Sequence, residues 1–172
     1  AATDAPVDLV RAHSAGLAEV RVVGTTTACL VHVDSVGVLR ALNVGDSGFR
    51  LLRPREGAIA TVASSTEQTH YFNCPFQLGT GSRDSPTDGE TVSARVEAGD
   101  LIILATDGLI DNLSESDIAR CVSKPLAAGS SAKVIADTLA STALAASLDP
   151  KRNGPFAKSA FELGYDFGGG KS

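Results

Sequence analysis

The sequence predicts an α+β fold: an antiparallel β-sandwich flanked by helices, layered α-β-β-α and incomplete within this chain. Three observations carry this. Between residues 25 and 63, short β-branched apolar runs are joined by turns of a few residues, which suit hairpins and are too short for parallel crossovers. The run Leu101-Ile102-Ile103-Leu104-Ala105 is unbroken apolar, as in a strand covered on both faces. Helical periodicity opens the chain and dominates it after residue 113. Strands covered on both faces need a layer on each side, and two packed sheets between helices provide it.

Taken in order, residues 6–18 read as a helix starting at Pro6, with Val7, Leu9, Val10 and Leu17 on one side. Residues 25–33 (Thr-Thr-Thr-Ala-Cys-Leu-Val-His-Val) read as a strand, with a turn at Asp34-Ser35 and Gly37. Strands follow over 38–44, over 49–53 after the Gly45–Gly48 turn, and around 59–63. Residues 64–90 hold Asn73, Pro75, Gly79, Gly81, Asp84, Pro86 and Gly89 and read as a long irregular excursion, of the kind that carries specificity or regulation or is merely mobile. Residues 92–96 alternate as a strand, Gly99-Asp100 turns, and 101–105 is the last strand. Ser114 with Asp117 reads as an N-cap pair for a helix carrying Ile118 and Val122. A longer helix over 130–148 aligns Ile135, Leu139, Ala143 and Ala146, and a short one covers 155–163.

Composition bounds the function. At 172 residues, 43% hydrophobic and 20% charged, the chain suits one domain with a real core. A net charge of -5 without a basic stripe argues against a nucleic-acid footprint. No apolar run is long enough to span a bilayer as a helix, so no membrane partner is expected. The Ala1-Ala2-Thr3-Asp4 start has no leader character, and the chain contains no Met, so it reads as a piece of something longer. Cys29, Cys74 and Cys121 are too few and too scattered for a disulfide framework and suggest a reducing, intracellular compartment.

Two turns carry chemistry: Asn43-Val44-Gly45-Asp46-Ser47-Gly48, and Ala105-Thr106-Asp107-Gly108-Leu109-Ile110-Asp111-Asn112. In each, an apolar strand delivers an Asp followed by a small residue. A carboxylate at a buried strand end is costly to desolvate without a partner, and a hard cation such as Mg²⁺ or Mn²⁺ is one such partner. Asp111 projects to the side of Asp107 if Gly108 opens a helical turn, and Gly108 would let a phosphate approach. Either turn alone is equally consistent with an Asx turn.

Together and in this order, these motifs resemble the metal-dependent protein phosphatases, the protein phosphatase 2C (PPM) family. Thr25-Thr26-Thr27-Ala28 is similar to the family's strand opening with small hydroxyl residues. Asn43–Phe49 is similar to its Gly-Asp-Ser turn, and Gly99–Asn112 is the most specific match. Phe72-Asn73-Cys74-Pro75-Phe76-Gln77-Leu78 and Pro155-Phe156-Ala157 resemble its organellar branch, with its mitochondrial and plastid members. The resemblance implies a serine/threonine phosphatase in which Mn²⁺ or Mg²⁺, two or three ions in a complete domain, activate water toward phosphoserine or phosphothreonine. It implies Asp107 as a ligand of the paired metals, Asp46 and Asp111 near a third metal, Gly108 near substrate, a phosphoprotein partner, and no nucleophilic role for Ser47 or the cysteines.

The sequence also departs from that family. The N-terminal Asp-Gly motif and the phosphate-binding Arg before it are absent, and Gly170-Lys171 is followed by Ser172 rather than an acidic pair. Residues 1–172 therefore read as one catalytic-domain fragment lacking both outer ligand motifs, expected to hold metal weakly and turn over poorly. The alternative is a non-catalytic phosphatase-like interaction module. A truncated sandwich would expose edge strands, so a homodimer through those edges is expected.

Other motif resemblances fail. Gly45-Asp46-Ser47-Gly48 resembles a serine-protease nucleophile turn, but His13, His32 and His70 lack the context. Gly170-Lys171-Ser172 resembles the end of a phosphate loop, but position 165 is Tyr165. His70 and Cys74 make only half a zinc site.

Overall fold

The structure, a computed structural model, describes residues 6–172, and the Ala1-Ala2-Thr3-Asp4 stretch lies outside them. The chain forms two compact units. One holds the chain up to Leu51 together with Val62–Leu104, and the other holds Leu52–Thr61 with Ala105–Ser172. The class is α+β, as the sequence predicts.

In the first unit, helix α1 (Leu9–Ala18) starts later than Pro6 because Asp8 caps it, its carboxylate accepting the Arg11 N–H at 3.0 Å. The strand predicted over 25–33 breaks at Thr27 into β1 (Thr25–Thr26) and β2 (Ala28–Val33). The break lets the two halves join different partners: β1 pairs with β8 (Leu78–Gly79), and β2 pairs with β3 (Val38–Val44). On its other side β3 pairs antiparallel with β9 (Glu90–Arg95), Val38 opposite Arg95 and Asn43 opposite Glu90. The β2–β3 hairpin turns at Gly37, φ +76°, and the Asp34 carboxylate accepts the N–H groups of Val36 and Val38 at 3.1 and 2.8 Å. A second sheet has the order β10-β4-β5, from β4 (Gly48–Arg55), β5 (Ala58–Ser64) and β10 (Leu101–Ala105).

The core lies between these sheets. Leu39 and Ala41 of β3 meet Phe49 and Leu51 of β4, with Val31, Val92, Ala63 and Ile102 packed around them. This is the predicted sandwich, and α1 packs against β3. The middle of β10 is covered on both faces, as the unbroken apolar run predicts: Ile102 packs into this core and Ile103 is buried on the opposite face, while Leu104 near the strand's end is 53% exposed.

The excursion over 64–90 is more regular than the sequence suggests. It contains β6 (Thr69–Tyr71), β7 (Cys74–Pro75), β8 and a 3₁₀ turn at Pro86–Asp88. Side chains pin it. Glu90 accepts the Thr66 N–H and hydroxyl at 2.6 and 3.0 Å, and Gln68 donates to the Asp88 carbonyl at 2.8 Å. Asp84 accepts the Gln77 N–H at 2.8 Å and pairs with His70 at 3.1 Å, while His70 stacks on Phe76. His70 is thus engaged by a carboxylate and a ring.

In the second unit, α2 (Asp107–Ile110) leads to α3 (Glu115–Ala127), α4 (Ala132–Ser147) and α5 (Pro155–Glu162). The predicted cap is present: Ser114 and Asp117 form a reciprocal capping box, and Ile118 and Val122 are buried. All four residues of the predicted α4 stripe are buried. Helix α3 faces the β4–β5 hairpin, where Pro54, Ile59 and Leu126 line one cleft.

Asp117 accepts the Ser114 N–H and hydroxyl at 3.1 and 2.7 Å and the Arg152 guanidinium at 2.6 Å, and it also pairs with Arg120. Burial pushes its carboxyl pKa up, but the Ser114 and Arg152 hydrogen bonds outweigh that and hold it below the usual range. A lowered folded-state pKa adds stability above the unfolded value, about 3.9, which is lost as pH falls through the folded value. Asp117→Asn is expected to cost about 2 kcal/mol at pH 7. It is also expected to flatten part of the acid-side stability loss below about pH 4, read by urea titrations from pH 7 to pH 2. Equal slopes in both proteins would refute the assignment. Among the described residues, no helix is long and apolar enough to cross a membrane.

Candidate metal centre

Asp46 and Asp107 lie in different units, so each is described in its own surroundings. Asp46 is half-buried, in the turn between β3 and β4. Gly45 before it has φ +97°, and a Cβ there would sit 2.5 Å from the Phe76 carbonyl oxygen and from a Thr27 methyl. Only glycine fits this position. Buried Asn43 ties the turn from inside, donating to the Gly45 carbonyl at 3.0 Å and to the Thr66 carbonyl at 3.4 Å. Ser47 shares a 2.8 Å hydroxyl contact with Thr27, the residue at which the first strand breaks. Ser47 is thus occupied as a structural hydrogen-bonding group.

Asp107 opens α2 and Asp111 caps its C-terminal end, so Gly108 does begin a helical turn. The two carboxylates point to one side, as the four-residue spacing predicts. Both reach the Lys171 ammonium: Asp107 Oδ2 at 3.0 Å and Asp111 Oδ2 at 2.6 Å. The Asp111 side chain is 14% exposed and that of Asp107 39%. Burial pushes the Lys171 pKa down, but the hydrogen bonds to Asp111 and Asp107 outweigh that and hold it above the usual lysine range. Gly108 is exposed, and a Cβ there would make only ordinary contact, Thr106 Oγ1 at 3.5 Å. The fold therefore does not itself demand glycine at 108, and the space above it is open.

Asn112 and Lys171 were not singled out as site residues by the sequence. Asn112 is 1% exposed; its amide donates to the Gly108 and Lys171 carbonyls at 3.1 and 2.9 Å and accepts the Lys171 N–H at 2.9 Å. The contact joins residues 59 apart in sequence, and no local spacing announces it. Phe156 lies beneath the ammonium, 4.5 Å from Nζ to the ring centre.

Among the described residues, no group of three or more His, Cys, Asp or Glu side chains is disposed to hold a metal ion. The Asp107–Asp111 pair nonetheless fits a hard divalent cation. Its oxygens converge on one positively charged atom, and Mg²⁺ is commonly held by one or two carboxylates with waters and substrate oxygens completing the shell.

Comparison with known proteins points one way. The chain is 40% identical over 169 residues to the probable protein phosphatase 2C 80 of Arabidopsis thaliana, covering 98% of this chain and 39% of that protein. It is 37% identical over 163 residues to the protein phosphatase PTC7 homolog of Homo sapiens, covering 89% of this chain and 52% of that protein. The chain thus spans about half or less of these relatives' lengths. Its fold matches the X-ray structure of the photosystem II phosphatase PBCP with a TM-score of 0.82 and 25% identity, over 92% of this chain and 64% of that one. It also matches the catalytic domain of the serine threonine protein phosphatase PstP, solved with 2 manganese ions, with a TM-score of 0.53 and 21% identity, over 81% of this chain and 69% of that one, a likeness of fold alone. No family model matches the chain.

Proposed function

We propose that this chain, which belongs to the metal-dependent protein phosphatase 2C family, forms part of one catalytic domain that hydrolyses phosphoserine and phosphothreonine on a phosphoprotein. The observation that carries the reading is the convergence of Asp107 and Asp111 on one cationic position at the start of α2. In this reading Asp107 and Asp111 would hold Mn²⁺ or Mg²⁺ through hard oxygen donors, Asp111 joining Asp107 here rather than the third-metal position that the resemblance implies for it, and Asp46, on its glycine turn, would serve a more peripheral ion. When bound, such ions would supply activated water for attack at phosphorus. Open Gly108 leaves room for the phosphate beside Asp107. No side-chain nucleophile is required, consistent with Ser47 being committed to Thr27. The organellar reading draws support from the likeness to a photosystem II phosphatase.

The test is Mn²⁺-dependent hydrolysis of p-nitrophenyl phosphate and of a phosphothreonine peptide by the purified protein. Asp107→Asn is expected to lower the rate about 100-fold or more, near 2.7 kcal/mol of barrier. An unchanged rate would remove Asp107 from the centre. A second reading, a phosphatase-like module without turnover, is favoured by the ammonium already seated on the two carboxylates. Phosphopeptide binding without hydrolysis at saturating Mn²⁺ would select it.

A further inference from the structure

We propose that the Lys171 ammonium is a built-in occupant of the Asp107–Asp111 pair, so that a divalent cation enters this position only by displacing the Lys171 side chain. The inference rests on the reading of these two carboxylates as metal ligands and adds how access to them is controlled.

The ammonium is delivered by a built dock. The Gly170 N–H donates to the Asp149 carbonyl at 2.9 Å, and a Cβ at 170 would run into the Ala146 carbonyl oxygen, so only glycine allows so close an approach to the end of α4. One residue later, buried Asn112 grips both backbone polar groups of Lys171 at 2.9 Å. The backbone at 171 is therefore fixed, and the side chain has a short path to its partners. It passes over Phe156, whose own position is set by its N–H donating to the Asp111 carbonyl at 3.1 Å and by edge-on packing with Phe167. The side chain ends only 20% exposed, with two carboxylates and a ring face around Nζ.

The chemistry then forces exclusion. An ammonium has three donors and no lone pair, so it cannot join a metal shell, and it takes up the oxygens that a metal would use. Two charges of the same sign as close as the cation and Nζ would be also repel. Either the lysine or the divalent ion satisfies the pair. While the lysine is seated, the apparent metal affinity falls in proportion to the fraction of molecules in which the pair is open.

The test compares Mn²⁺ binding by calorimetry, and Mn²⁺-dependent thermal shifts, in the wild type, Lys171→Met, Lys171→Gln, and each combined with Asp107→Asn. Met keeps the apolar stem over Phe156 without the charge, and Gln keeps a polar end should Met perturb folding. Both substitutions are expected to tighten Mn²⁺ binding about tenfold, as for a pair that is open in about a tenth of wild-type molecules. Without metal they are expected to lower Tm, because the two carboxylates then lose the Lys171 charge that pairs with them. Asp107→Asn is expected to abolish binding in every background. Affinities equal to or weaker than wild type, still sensitive to Asp107→Asn, would overturn the occupant role and leave the ligand reading standing. Binding indifferent to Asp107→Asn, or absent throughout, would overturn both.

Discussion

Gly45→Ala is expected to destabilise the protein by about 3 kcal/mol, measured by urea denaturation. About 1–2 kcal/mol comes from placing an L side chain in left-handed backbone, and about 1–3 more from forcing a methyl into packed atoms. At φ +97° the new Cβ would lie 2.5 Å from the Phe76 carbonyl oxygen and a Thr27 methyl. Gly57 provides the control. It has φ +72° with nothing within 4 Å of a Cβ, so Gly57→Ala isolates the backbone term and is expected to cost about 1 kcal/mol. Equal losses at the two sites would show that the crowding around Gly45 is relieved at no cost. The turn matters because it carries Asp46. A variant that tolerates the methyl by shifting the turn would move that carboxylate.

Asn112→Ala is expected to cost about 2–4 kcal/mol and to release the Lys171 segment. The amide satisfies the Gly108 carbonyl and both backbone polar groups of Lys171 from a position 1% exposed. Truncation leaves those groups without partners, at about 1–3 kcal/mol for each that water cannot reach. Two readouts separate this from general loosening. Hydrogen-exchange protection of the Lys171 amide should fall more than that of the α3 and α4 amides, and Mn²⁺ affinity should rise toward that of Lys171→Met. Retained protection at Lys171 would mean that the clamp is held by other contacts.

Much of the framework was legible in the sequence for local reasons. The capping box at Ser114 and Asp117, the α4 stripe from Ile135 to Ala146 and strand β3 over Val38–Val44 all lie where periodicity and cap chemistry put them. The errors have physical causes as well. Pro6 is a sound helix starter, but Asp8 offers an oxygen to the Arg11 N–H and wins the cap. The segment from Ser64 to Gly89 looks irregular because its strands are two or three residues long and held by Glu90 and Asp84, partners that a local window does not reveal.

The sequence by itself determined the sandwich-with-helices class and the two Asp-bearing turns. It also placed Asp107 and Asp111 on one side of a helical turn, because strand and helix periodicities and turn chemistry act over a few residues. Only the tertiary structure decided what faces that pair. Lys171 reaches Asp107 across 64 residues, through a glycine packed against the end of α4 and a buried Asn112. That arrangement follows from close packing and from the need to pair buried polar groups, and neither leaves a periodic trace in the chain.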